Sequence, residues 1–126
     1  MSIDTLIKQV GEWAEARNIT MEGGSSPLAQ LSKTLEECGE LLAALNAKST
    51  YHPVREGHDL DAMLDAYQDI DKEIVDAYGD ILVTLIIGMQ LQGTTVEYCL
   101  SKAWEEIKDR KGRMEHGVFV KEKSGE

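Results

Sequence analysis

Two helical segments of this chain each carry carboxylates along one side and apolar residues along another. In the first, centred on Lys33 to Leu45, Leu28, Leu31, Leu35, Cys38, Leu42 and Leu45 recur at spacings of 3, 4, 3, 4 and 3. That is the period of one continuous helical seam. At about 100° per residue, Lys33, Glu37, Glu40 and Ala44 point roughly opposite it, with Glu36 beside them. In the second segment, Asp69, Glu73, Asp76 and Asp80 are spaced 4, 3 and 4. These acids fall within roughly 60° of one another on a helical projection. The block Ile81 to Met89 follows at once and is apolar almost all round.

Such stripes are costly. Like charges about 4–6 Å apart resist joint ionisation, and loss of water penalises each further. Either the stripe faces bulk water or cations neutralise it. A lone Glu-Glu-x-x-Glu in an acidic protein is usually a solvated face. Two stripes, the second running into a block of apolar residues, point to two acidic helices facing each other across a metal. Carboxylate-only sets suit hard ions, Mg²⁺ or Mn²⁺, which take oxygen ligands.

The chain has 126 residues and a net charge of −10. One domain with a modest core is expected. The charge argues against sequence-independent binding to nucleic acid or to an anionic membrane. Cys38 and Cys99 both fall on apolar stripes and read as a reduced pair of small core residues. Asp4 and Lys8 interrupt any apolar run near the start, and the run 81–89 is too short to span a bilayer. A cytoplasmic protein is the expectation.

A helix is expected from about Ser2 to Arg17, with Ser2 as N-cap. After Gly23-Gly24-Ser25-Ser26, the pair Ser26-Pro27 opens a helix to about Lys48. Asp59 to Asp69 is either a short helix or an early extension of the next one, which is firm from Ile70 to Gln92. Its apolar face is Ile70, Ile74, Ala77, Ile81, Leu85 and Gly88. Thr94-Thr-Val-Glu97 is a capping-box pattern opening a last helix, Thr95 to about Lys111, with Gly112 as its stop. The stripe of that helix is Val96, Cys99, Leu100, Ala103, Trp104 and Ile107. Trp13 and Trp104 could stack on a base, but each lies on an apolar stripe and reads as core. No β-period segment is evident, and the tail Gly117 to Lys121 is expected to dock on the bundle. The fold class is all-α, a bundle of four to five helices. Ile86 and Ile87 lie on or beside the acidic side, where a monomer has little to cover them, so a homodimer or homotetramer is expected.

Lys108, Arg110, Lys111 and Arg113 crowd the end of the last helix, and Lys33 sits one turn before Glu37. Basic groups able to close over a carboxylate–metal site suit a polyphosphate. For Lys108 and Lys111, complementing the helix dipole is an equal alternative.

The pattern Glu36-Glu37-x-x-Glu40, then about thirty residues, then Glu73-x-x-Asp76 resembles the MazG-type, all-α nucleoside triphosphate pyrophosphohydrolases. Gln30 and Lys33 before the pair, Gly79-Asp80-Ile-Leu-Val after the second patch, and the ending Ile107 to Glu122 resemble small single-domain MazG-like proteins of phages and bacteria. The resemblance covers most of residues 28–122. Two registers stay open, one matching Glu73 and Asp76, the other matching Gly79-Asp80.

The resemblance implies Glu37, Glu40, Glu73 and Asp76 as core metal ligands, with Asp80 close behind and Glu36 more peripheral, and Glu36, Glu37 and Glu40 as catalytic. Gln30, Lys33, Lys108, Arg110 and Lys111 would bind substrate. It further implies cleavage of a (deoxy)nucleoside triphosphate between the α- and β-phosphates, with more than one Mg²⁺ or Mn²⁺ ion per site. Cations clustered at 108–113, beyond the acids of the helix interiors, would put the α-phosphate deepest. Two other readings compete. An HD-type phosphohydrolase is suggested by His58-Asp59, although His52 and His116 fall in loops. An acidic helical adaptor would need no metal. No Glu-x-x-His occurs to support a di-iron bundle.

Overall fold

Each helix starts on a side chain that accepts one of its orphan backbone N–H groups. In this computed structural model, which describes residues 1–122, there are four: α1 (Ile3–Ala16), α2 (Pro27–Thr50), α3 (Leu60–Gln92) and α4 (Val96–Ile107). Ser2 Oγ accepts from Thr5 N–H, Ser26 Oγ from Ala29, Asp59 Oδ1 from Ala62 and Thr95 Oγ1 from Tyr98. Thr95 is therefore the cap of α4 and Tyr98 its third residue, one place later than the capping-box pattern. Thr94 lies 3.4 Å from Cys99 Sγ instead. The acidic stretch after Asp59 is the first part of α3, not a separate helix. The helical content agrees with the all-α expectation, and a small hairpin is added to it.

The chain forms two compact units, Met1–Gly93 and a second beginning at Thr94. In the first, α2 and α3 pack along most of their lengths and α1 packs on α3. Thr34 meets Thr84 while Lys48 meets Asp71, so α2 and α3 run antiparallel. The turn between them is tied by Tyr51 and His58, whose hydroxyl and Nδ1 lie 2.6 Å apart. Burial, with Tyr67 and Glu56 close by, pushes the Tyr51 phenol up. His58 and Asp59 thus serve the turn and the helix start.

The side of α2 that packs is not the leucine seam. Thr34, Glu37 and Ala44 are its buried residues, against Ala77, Thr84 and Ile87 of α3. Small side chains allow this contact: a Cβ added to Gly88 would lie 3.6 Å from Gln30 Cβ. Leu28, Leu31, Leu35, Leu42 and Leu45 stay exposed, Leu35 by 65%. On α3, Val75, Tyr78 and Leu82 are exposed as well. On α2 the exposed seam lies away from the acids, and on α3 these exposed positions lie opposite the acids. Ile87 corrects the expectation that it lacks cover: it is 3% exposed. Gln90, one turn on, abuts Gly11 of α1 and donates through Nε2 to Glu15 Oε1 at 3.1 Å.

By length and composition alone, α3 is apolar enough to cross a membrane, more than the run 81–89 suggested. Its neighbour α2 sets Lys33, Glu36, Glu37 and Glu40 beside it. Each charge at a bilayer centre costs about 2.5–3.5 kcal/mol on insertion scales, which disfavours that placement.

The second unit corrects the sequence reading most. α4 ends at Ile107, and Gly112 begins a strand rather than stopping the helix. Strand β1 (Gly112–Glu115) pairs antiparallel with β2 (Val118–Lys121), Met114 opposite Phe119 and Arg113 opposite Val120. The turn residues His116 and Gly117 have φ of 51° and 81°. Two successive positive φ values are the two-residue turn that matches strand twist. At Gly112 a Cβ would run into the Val120 carbonyl and lie 2.7 Å from the Phe119 ring. Gly112→Ala is expected to unpair the hairpin. Hydrogen exchange at the Glu122 amide, which bonds the Lys111 carbonyl at 2.7 Å, reads this directly.

Neither tryptophan is core. Trp13 is 45% exposed beneath the Arg17 guanidinium, and Trp104 is 57% exposed. Cys38 is exposed on the leucine seam and Cys99 half-buried.

Candidate metal centre

Glu37 is the residue around which the acidic flank is arranged. Its side chain is only 9% exposed, yet it is a carboxylate. Helical spacing from the buried Thr34 and Ala44 puts it there. Lys33, four residues earlier and half-exposed, reaches Glu37 Oε1 and Glu36 Oε1, each at 3.3 Å. Glu37 Oε2 is buried and has no hydrogen-bond partner. A buried carboxylate oxygen without a donor is costly, about 1–3 kcal/mol or more for a charged group.

The other acids converge on the same place. One carboxylate oxygen from each of Glu37, Glu40 and Asp80 lies within 4.8 Å of the others. Glu40, Glu73, Asp76 and Asp80 line a cleft of about 230 Å³ floored by Ala44 and Ala77. All five expected ligands thus belong to one flank. Glu37, Glu40 and Asp80 form its tightest group, and Glu73 and Asp76 continue the wall on α3. Asp80, placed second on sequence grounds, comes closest to the α2 acids. Glu36 is exposed and turned to Lys33.

Glu40 reports the crowding. The Glu37 carboxylate, which a protonated Glu40 can hydrogen-bond, pushes the Glu40 carboxyl up; the Glu37 charge, burial and the Glu36 charge add to this, and Lys33 opposes them. Lys33 is itself raised, first by its bond to Glu36 and then by that to Glu37, so it stays charged. A carboxyl raised by folding stabilises the fold most when protonated. That contribution is present below the ordinary carboxylate range and is lost as pH rises through the raised value. The metal-free protein should therefore melt higher as pH falls from neutrality, and Glu40→Gln should flatten the slope. Metal ligands must be deprotonated, so saturating Mn²⁺ should reverse the trend. Melting curves across pH in chelator and in Mn²⁺ check both.

Two residues that the sequence reading passed over hold the wall in register. The Thr34 and Thr84 hydroxyls meet at 2.8 Å in the buried contact between α2 and α3. Each sits one turn from an acid of the tight group, Thr34 from Glu37 and Thr84 from Asp80. A threonine inside the apolar block 81–89 was the available signal.

The expected substrate-binding residues divide. Lys33 is at the site. Gln30 is half-buried at the start of α2, where its Nε2 donates to Ser25 Oγ at 3.0 Å. Lys108, Arg110 and Lys111 belong to the second unit. Lys108 pairs with Glu105 at 2.8 Å, and Arg110 lies in the turn after α4. Lys111, with Arg113 and Lys121, lines a cavity of about 610 Å³ at the open end of the hairpin. Arg113 is held by Glu115 at 2.6 Å.

No protein-family model, no curated protein and no solved structure matches this chain.

Proposed function

We propose that the chain is a divalent-metal-dependent nucleoside triphosphate pyrophosphohydrolase of the MazG-like kind, acting as a homo-oligomer in nucleotide-pool control. The observation that carries the reading is Glu37 Oε2, a buried carboxylate oxygen without a partner beside Glu40 and Asp80. Such an atom fits a hard cation, and an all-oxygen donor set fits Mg²⁺ or Mn²⁺.

Glu37, Glu40 and Asp80 would hold the ion, with Glu73 and Asp76 able to take a second. When bound, such ions neutralise phosphate charge and make water a nucleophile near neutral pH. The chain's own groups do the rest. A carboxylate of the wall that does not hold an ion would accept the proton from the attacking water. Lys33 carries a positive charge at the rim for a phosphate oxygen. Cleavage at the α-phosphate, giving monophosphate and pyrophosphate, rests on the resemblance of the acidic pattern. Oligomerisation is supported by the exposed leucine seam with Val75, Tyr78 and Leu82. So long an apolar face is rarely left to water.

Metal titration followed by thermal melting tests the metal part. A ligand at a hundred times its dissociation constant adds about 2.7 kcal/mol, which should raise the melting temperature by roughly 10 °C. No shift with Mg²⁺ or Mn²⁺ would favour a non-catalytic acidic adaptor.

A further inference from the structure

We infer that Lys33 is an internal counter-cation that holds the metal site weak until a phosphate-bearing ligand draws it away. The inference rests on the reading that these carboxylates hold a divalent ion, and it names the residue that couples ion to substrate.

Six carboxylates, Glu36, Glu37, Glu40, Glu73, Asp76 and Asp80, stand on this flank. Among the described residues, Lys33 is the one cation in a salt bridge with any of them. It is shared: one ammonium reaches Glu36 and Glu37 at the same 3.3 Å. Its Glu37 partner is nearly buried, while Lys33 and Glu36 are half or more exposed. The ammonium is therefore anchored inward on Glu37 and free to swing outward. It occupies Oε1 of the carboxylate whose Oε2 has no partner.

A divalent ion beside Glu37 opposes this arrangement twice. It spends the Glu37 charge that attracts Lys33, and it repels the ammonium directly. Lys33 then needs another anion, and a phosphate oxygen at the rim supplies one without loss of charge pairing. By linkage the coupling is reciprocal: the anion tightens the ion as much as the ion tightens the anion. Lys33 thus acts as a positioning and selectivity residue, favouring entry of a metal–polyphosphate complex over the bare ion.

The test is Mn²⁺ binding followed by electron paramagnetic resonance in wild type, Lys33→Met and Lys33→Arg. A second arm measures pyrophosphate binding at saturating Mn²⁺. Removing one positive charge beside a divalent ion in a partly screened site is worth roughly tenfold. Lys33→Met should therefore bind bare Mn²⁺ about tenfold tighter and Mn²⁺–pyrophosphate about tenfold more weakly. Lys33→Arg should stay close to wild type in both. Opposite signs are the signature, because a merely misfolded variant weakens both. Unchanged or weaker binding of bare Mn²⁺ by Lys33→Met overturns the inference and leaves the proposed function standing. Wild type that binds no Mn²⁺ at all overturns both.

Discussion

Glu37→Gln is expected to lower turnover at saturating Mg²⁺ by roughly a thousandfold or more while raising the melting temperature of the metal-free protein. The two effects have one cause. Glutamine keeps the shape of the side chain but removes a charge from a group in which Glu37, Glu40 and Asp80 oxygens crowd within 4.8 Å. Its amide can also donate to Glu40, which two ionised carboxylates cannot do for each other. The same change deletes a ligand whose buried oxygen has no other partner. Glu40→Gln and Asp76→Asn should follow the pattern. Asp80→Asn should cost more metal affinity than Asp76→Asn, because Asp80 belongs to the tight group; this decides between the two sequence registers. Near-normal activity in any of these variants at saturating Mg²⁺ would remove that residue from the site.

Leu35→Glu combined with Leu42→Glu is expected to convert the proposed oligomer to monomer. Both leucines are more than 60% exposed on one chain, although they sit in an unbroken helical seam. Across a twofold interface each substitution acts twice and sets like charges against each other. Two leucines on each of two copies, at about 1.5–3 kcal/mol each, are worth at least about 6 kcal/mol, or some four orders of magnitude in dissociation constant. Light scattering at micromolar concentration reads the change. A wild-type protein that is itself monomeric there would contradict the oligomeric reading.

The parts of the fold set by local chemistry were legible in the sequence. Ser2 and Ser26 announce helix starts because a hydroxyl accepts an N–H three residues on, with no help from the rest of the chain. Helical period alone puts Glu40 of α2 and Glu73, Asp76 and Asp80 of α3 on the sides that line one cleft, while Asp69 of the same stripe is not among the lining residues. Which side of α2 packs inside the chain was not legible. Periodicity finds an apolar stripe but does not say whether the chain itself or another copy covers it. Here Thr34 and Ala44 allow close approach to α3, and the bulkier leucine seam is left outside.

The hairpin was missed for a different reason. Its strands are four residues each, too short for a period to stand out. Its signal is the pair His116-Gly117 between the alternating run Arg113-Met-Glu and the β-branched and aromatic run Val118-Phe-Val. The Trp13 and Trp104 assignments failed because an amphipathic stripe was taken as evidence of burial.

The identity of the products tests the proposed function most directly. A triphosphate gripped by carboxylate-bound ions can lose its γ-phosphate or be cut at the α-phosphate, and metal binding alone does not separate the two. All ribo- and deoxynucleoside triphosphates would be incubated with Mg²⁺ and with Mn²⁺, and an early time point resolved by chromatography. Nucleoside monophosphate and pyrophosphate in equal amounts, with no diphosphate and with loss of both products in Glu37→Gln, is the predicted result. Accumulation of nucleoside diphosphate with orthophosphate, or no turnover of any triphosphate with either ion, would contradict it.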